Sequence, residues 1–217
     1  MPQQLRLFPH AKINLGLHIK GKLPNGYHTL ETLLYPIPEL TDVLTLSKTD
    51  ATGCQLSIEG MQLDGKLEEN LCVKAYRALE QELGPLPGVK MQLKKHIPAG
   101  AGLGGGSSDA AFALKGLNEL FELVLSKVQL ATIASSLGAD VPFFIYDQPM
   151  MATGIGTELE EFSLEMPFNI QLFPQHIHSS TIAAYKALDY TQFDPQRELS
   201  KALYSPIEEW KTLLVND

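Results

Sequence analysis

The run Ile97-Pro98-Ala99-Gly100-Ala101-Gly102-Leu103-Gly104-Gly105-Gly106-Ser107-Ser108-Asp109-Ala110-Ala111 puts five glycines into seven positions, ahead of two serines and an aspartate. Glycine lets a backbone bend sharply and bring its N–H groups close to a ligand. Ser107, Ser108 and Asp109 then stand where a helix-forming run, Ala110 to Leu120, begins. Cap chemistry, unbonded amides and the positive end of a helix dipole converge there, and that combination binds anions, phosphate above all. A plain turn needs only one or two residues with positive φ. A Walker A loop needs a lysine that is absent after Gly105. Gly100, Gly102 and Gly105 satisfy G-x-G-x-x-G, but the preceding Val89 to His96 alternates apolar and polar residues and runs into Pro98. That suits a strand with one wet face, not the buried parallel strand of a dinucleotide fold.

Three further places carry reactive side chains. Lys12 and Asn14 share one parity, opposite Ile13, Leu15, Leu17 and Ile19, so a strand points both to one face. Such a face is ordinarily solvated and functional only where it meets a ligand. Asn25-Gly26 is a strong turn signal, and Tyr27 and His28 follow it directly, an aromatic and an imidazole able to stack on and bond to a flat heterocycle. Asp140 lies between the helix stop at Gly138 and the apolar run Val141 to Ile145. A carboxylate there is a turn residue by default, and a functional candidate where a lysine holds its charge on, Lys12 being the expected partner.

The elements that must position these groups are legible in outline. Gln4 to Lys20 reads as extended, with further strands at Val43 to Lys48 and Gln55 to Glu59. Asn70 to Leu83 has helical spacing of Leu71, Ala75, Ala78 and Leu79 and is stopped by Gly84-Pro85. A mostly apolar helix follows the glycine run to Leu123, and a second covers Lys127 to Leu137. Pro142 ends helical structure, which makes Phe143-Phe144-Ile145 a candidate buried strand. Asn169 to Phe173 is strand-like, His176 to Ser180 a loop, and Thr181 to Leu188 a short helix. The texture changes near 153–157, where a boundary separates a domain of 1–153 from one of 154–217.

With 217 residues, 44% hydrophobic and 19% charged, the chain has the composition of a soluble globular protein. The net charge of −8 argues against nucleic acid as a general partner. Neither a signal peptide nor a membrane span is expected, since no apolar run reaches 18 residues. Cys54 and Cys72 lack metal or redox spacing, which fits a reducing cytoplasm.

The segment Pro98 to Ala111 resembles the nucleotide-phosphate loop of the GHMP kinases, a superfamily of small-molecule kinases. With Ala11-Lys12-Ile13-Asn14-Leu15, Asn25-Gly26-Tyr27-His28, Asn70-Leu71 and Leu137-Gly138-Ala139-Asp140-Val141-Pro142-Phe143-Phe144, it is similar to the branch that phosphorylates a cytidine diphosphate-linked methylerythritol in isoprenoid biosynthesis. The resemblance implies an α+β GHMP kinase fold, with an N-terminal domain like domain 2 of ribosomal protein S5, a ferredoxin-like C-terminal domain, and the active site between them. It implies ATP and Mg²⁺ as cofactors, a small-molecule acceptor, and a cytoplasmic monomer or weak homodimer. It implies that Pro98, Gly100, Gly102, Leu103, Gly104, Gly105, Gly106, Ser107 and Ser108 hold ATP phosphates, with Asn70 and Lys94 or Lys95 near the adenosine. Asp140 would be the base and Lys12 the lysine that orients it. Asn14, Tyr27 and His28 would hold the acceptor, with Thr181 and Tyr185 from the second domain, and Ser107 or Ser108 would serve Mg²⁺. Two departures stand out: Leu23 and Asn25 occupy positions where the family usually has arginine and aspartate, and the family's third, Gly-Ser-Gly-rich motif is absent, which implies an incomplete C-terminal domain. Another small-molecule kinase of the superfamily, acting on homoserine, mevalonate or a sugar, and a non-catalytic anion or RNA-binding module of S5-like fold are the alternatives.

Overall fold

The computed structural model describes residues 3–61, 65–164, 166, 169–173, 188, 194 and 196–217. Strands β1 (Gln4–Leu7), β2 (His10–Lys22), β3 (His28–Thr41), β4 (Val43–Thr49) and β5 (Cys54–Gly60) lead into helix α1 (Leu71–Leu83) and strand β6 (Gly88–Lys95). Helices α2 (Gly105–Leu120), α3 (Lys127–Ser135) and α4 (Val141–Tyr146) follow, then β7 (Met150–Thr153), β8 (Glu158–Glu161), α5 (Leu199–Leu203) and α6 (Ile207–Leu213). The chain divides into two compact units, neither contiguous: one of Met1–Ala11, Ile37–Ala99 and Leu103–Asp147, the other of Lys12–Pro36, Gly100–Gly102 and Gln148–Asp217.

The first unit is built on a sheet ordered β1-β4-β6-β5, in which β6 runs antiparallel to β4 and parallel to β5. Alternation decides its faces. Val89, Met91, Leu93 and Lys95 of β6 are buried, whereas Lys90, Gln92 and Lys94 are exposed. Leu44 and Leu46 of β4 and Leu79 of α1 join this core with no exposure. α2 lies on the sheet at Gly116, where a Cβ would come within 2.4 Å of Leu7 Cδ1 and 2.5 Å of Leu46 Cδ1, so any larger residue would have to displace those two side chains. At the far end of α2 the buried His10 ring sits between Phe112 and Phe144 and bonds Asp147 at 2.6 Å, while Lys115 reaches Asp147 at 3.1 Å.

The second unit contains most of the sheet β2-β3-β7-β8. Its core gathers Leu33, Met151, Leu199 and Leu203, with Leu15, Phe162, Leu164, Trp210 and Leu214 packed against them. Gly16 breaks the alternation of β2 with φ of 73°, and a Cβ there would meet Leu199 Cδ1 at 2.5 Å. Beyond it the edge of β2 is paired with the chain end: Leu17 bridges Asn216 in parallel, and Ile19 N–H donates to Asp217 Oδ2 at 2.8 Å.

Several expectations are corrected. Phe143-Phe144-Ile145 is helical: Pro142 stands in the first turn of α4, where its missing N–H costs nothing. It starts a helix instead of preventing one. α2 begins at Gly105, ahead of the serines, because the left-handed Gly104 turns the chain directly into it. Asn169–Phe173 is irregular, with no strand ladder among the described residues, in a segment bounded by Pro167 and Pro174. α3 stops at Ser135, two residues early, after starting from a complete Ser126/Gln129 capping box. The expected boundary at 153–157 falls in the turn that joins β7 to β8. The loop 176–180 and helix 181–188 lie outside the described residues, apart from Leu188, and with them Thr181 and Tyr185.

Candidate active site

The glycine loop carries left-handed φ at alternate positions, 70° at Gly100, 73° at Gly102 and 70° at Gly104, a backbone that L side chains rarely adopt. A Cβ on Gly102 would meet nothing, so conformation alone requires glycine there. Gly105 is different: it is buried with negative φ, and its Cβ would lie 2.9 Å from Ile97 Cγ2 and 3.2 Å from Lys95 Nζ. From Gly104, α2 runs for 16 residues, and the first amide with an intrahelical partner is Ser108 N–H, bonded to Gly104 O at 2.9 Å. The amides of Gly105, Gly106 and Ser107 are therefore donors without an intrahelical partner, and none is bonded among the described residues. Together with the dipole they make an anion-binding end. Ser107 is half-buried, whereas Ser108 is sealed, its hydroxyl without a partner among the described residues.

Beneath this loop lies a buried ionic cluster. Lys95 Nζ donates to Asp109 Oδ2 at 2.7 Å and, more closely still, to Asp42 Oδ2. Asp42 Oδ1 accepts the backbone N–H of His96 at 2.6 Å and of Ile97 at 2.9 Å. All three side chains are at most 3% exposed. Burial pushes the Asp109 carboxyl up to about 8; Lys95 opposes the rise and Asp42 adds to it. Burial also pulls Lys95 down, but Asp109 and Asp42 outweigh it and leave the ammonium raised. A carboxyl whose folded pKa lies above its unfolded value holds a proton that the unfolded chain has released. Asp109 therefore costs stability progressively as pH rises from about 4 to about 8, and nothing further above. Asp109→Asn removes that cost, so urea midpoints across pH 4–9 are expected to fall less steeply for the variant than for the wild type.

Lys94 and Lys95, one or the other of which is expected near the adenosine, occupy opposite faces of β6. Lys95 faces inward to the two carboxylates. Lys94 faces outward beside Arg6, Glu59 and Gln92, over an open cavity of about 330 Å³. Asn70 caps α1, its Oδ1 accepting Cys72 N–H at 2.9 Å. Asp140 is half-buried, stands in helical backbone just before α4 and makes no side-chain cap hydrogen bond to it.

In the second unit, Lys12 is only 6% exposed, so its strand face is not a solvated one. Its ammonium donates to Asn14 Oδ1 at 2.6 Å, Asn14 Nδ2 to Thr32 Oγ1 at 2.9 Å, and Thr32 Oγ1 to Gly16 O at 2.6 Å. This relay fixes the amide, its oxygen toward Lys12. The Asn25-Gly26 turn forms as expected, with Leu23 N–H bonded to Tyr27 O at 2.7 Å and Tyr27 N–H to Asn25 Oδ1 at 3.1 Å. Tyr27 is exposed on it and His28 half-buried, its imidazole lowered by burial and then by Lys22, hence neutral near pH 7.

Sequence reasoning did not find Thr32 or Asp42. Thr32 was legible, since it shares the parity of Leu30 and Leu34 and is thus a hydroxyl on an apolar face. Asp42 was not, because one acidic residue between two strands looks like any turn.

The glycine loop opening a long buried helix laid on a mixed sheet belongs to a domain of the GHMP kinase class. Residues 70–148 match the family model of the GHMP kinases N terminal domain, and a crystal structure of a homoserine kinase from Cytophaga hutchinsonii shares the fold, at TM-score 0.64 and 18% identity over 99% of this chain and 68% of that one. Within the class the similarity is much sharper. The 4-diphosphocytidyl-2-C-methyl-D-erythritol kinase of Porphyromonas gingivalis is 44% identical over 97% of this chain and 77% of its own length. Its namesake from Bacteroides fragilis is 45% identical over 97% and 76%. A crystal structure of 4-(cytidine 5'-diphospho)-2C-methyl-D-erythritol kinase superposes at TM-score 0.76 with 31% identity, over 95% of this chain and 71% of that one. The chain belongs to the 4-diphosphocytidyl-2-C-methyl-D-erythritol kinase family of GHMP kinases.

Proposed function

We propose that the protein transfers the γ-phosphoryl group of ATP to a hydroxyl of 4-diphosphocytidyl-2-C-methyl-D-erythritol, giving the 2-phosphate and ADP. The observation that carries the reading is the start of α2, three unbonded amides behind left-handed glycines. It is supported by the names of relatives at 44% and 45% identity.

Phosphoryl transfer passes through a loose transition state and asks for alignment and charge neutralisation more than covalent chemistry. Gly100 to Ser107 hold the phosphates. Asp140 takes the proton of the attacking hydroxyl as its oxygen bonds the γ-phosphorus and the bond to ADP breaks. Lys12, held toward Asn14, balances the negative charge that develops. Asn14 and His28 offer donors and acceptors to the acceptor's polar end, and Tyr27 a face for its base; Thr181 and Tyr185 are proposed beside them. Asn70 contributes by placing α1 next to Gly106, whose Cβ would meet Leu71 Cδ1 at 3.8 Å.

No group of three or more metal-ligating side chains occurs among the described residues. That donor set fits Mg²⁺ arriving on the nucleotide, since the ion keeps its waters and takes few protein ligands; the half-buried Ser107 hydroxyl would hold it. When bound, it neutralises phosphate charge. No described helix is long and apolar enough to cross a membrane. With a net charge of −8 and two unbonded cysteines, a cytoplasmic monomer or weak homodimer acting on a small molecule is the reading taken, without nucleic acid as partner. ADP release measured across an acceptor panel tests the substrate: turnover is expected with the diphosphocytidyl acceptor and not with homoserine, mevalonate or galactose. Turnover with any of those three alone overturns it.

A further inference from the structure

The ionic cluster under the loop does more than balance buried charge, and one of its atoms, Asp109 Oδ1, has no hydrogen-bond partner among the described residues. Its three members come from three separate elements: Lys95 ends β6, Asp42 sits between β3 and β4, and Asp109 lies in the second turn of α2. Asp42 also takes the amides of His96 and Ile97, the two residues that lead from β6 into the glycine loop. Ile97 and Lys95 Nζ in turn fill the space that a Cβ on Gly105, the first residue of the helix, would occupy. Entry to the loop, exit from it and the ammonium that links them are thus held in one dry contact. We propose that Lys95, Asp42 and Asp109 form a buried strut that sets the phosphate-binding amides, so that Lys95 is a positioning residue for the nucleotide and makes no contact with it.

Geometry favours a strut over a ligand. An ammonium serving phosphate must reach the nucleotide, yet Lys95 is 3% exposed and directs its bonds to the two aspartates, Asp42 and Asp109. A buried ion pair also gives directionality at the expense of desolvation, so its value lies in fixing one arrangement more than in adding stability. Amides aimed at a transferring phosphoryl group require that kind of fixing, because a displacement of about 1 Å can cost about 10²-fold.

The proposal rests on the nucleotide reading above, and Asp109 separates the two. Asp109→Ala removes the bond to α2 while leaving Lys95 neutralised by Asp42, and alanine is the best helix former. Asp109→Asn keeps an acceptor for Lys95. For Asp109→Ala, hydrogen exchange of the Gly104–Ser108 amides is expected to quicken at least tenfold over the wild type, with the near-ultraviolet dichroism unchanged. Its affinity for a fluorescent ATP analogue is expected to weaken about tenfold, with KM for the acceptor unaltered. Asp109→Asn is expected to restore exchange and affinity to within about twofold. Unchanged exchange in Asp109→Ala, or an Asn variant as impaired as the Ala one, overturns the strut. So does tighter nucleotide binding by Asp109→Ala, which would make Lys95 a nucleotide ligand that Asp109 restrains. The exchange measurement needs no ligand, so a wild type that binds no nucleotide sinks the functional reading and still leaves the strut to be judged.

Discussion

Asp140→Asn is expected to lower kcat by about 10²–10⁴-fold, the usual contribution of a positioned general base, with little change in KM for ATP or in thermal stability. The split follows from where the residue stands. Its side chain does not cap α4, and it is half-buried, so an isosteric amide disturbs neither a helix end nor a sealed core. The nucleotide amides belong to a different helix, α2, and have no reason to move. What the amide removes is the proton acceptor, felt only as the hydroxyl attacks. Steady-state kinetics with both substrates, beside a thermal melt, checks this. A loss confined to KM would reassign Asp140 to binding, and a fall in melting temperature of more than a few degrees would make it structural.

The second large effect is at Gly105. Its φ is ordinary, so the demand for glycine comes from packing: two atoms of Ile97 and the Lys95 ammonium stand where a side chain would go. Gly105→Val must push the start of α2 off β6 by a sizeable fraction of an ångström. The amides of Gly105, Gly106 and Ser107 go with it. Nucleotide affinity is expected to fall about 10²-fold, far more than for Gly102→Ala, where space is open and only backbone strain of about 1 kcal/mol arises. Titration of both variants with a fluorescent ATP analogue decides the order; equal losses would mean that loop conformation, and not its seat on β6, governs binding.

Periodicity and glycine chemistry made much of this protein readable. The alternation of Val89 to Lys95 gave β6 and its wet face, the spacing from Leu71 to Leu79 gave α1, and Asn25-Gly26 gave its turn. The glycine run marked a loop of unusual backbone, left-handed at Gly100, Gly102 and Gly104, because nothing else requires so many glycines together. The failures have equally physical roots. Pro142 reads as a helix breaker in sequence, although the first turn of a helix tolerates it, so the strand expected at Phe143-Phe144-Ile145 is the helix α4. Whether the face carrying Lys12 and Asn14 is wet stays open in the sequence, because strand alternation distinguishes two faces and does not say which of them a neighbour will cover. Lys94 and Lys95 read as interchangeable candidates for the adenosine. What separates them is a carboxylate more than 50 residues away, Asp42, brought beneath the loop by the pairing of β4 with β6. Local pattern has no means of showing a contact of that sequence separation.

Phosphorus magnetic resonance on a reaction of the protein with Mg-ATP and 4-diphosphocytidyl-2-C-methyl-D-erythritol tests the central claim most directly. The account predicts a new phosphomonoester resonance on the acceptor, growing in step with ADP, with the acceptor's diphosphate signals retained. Loss of the ATP γ signal to inorganic phosphate alone, or a nucleotide-bound protein that leaves the acceptor unphosphorylated, would contradict it.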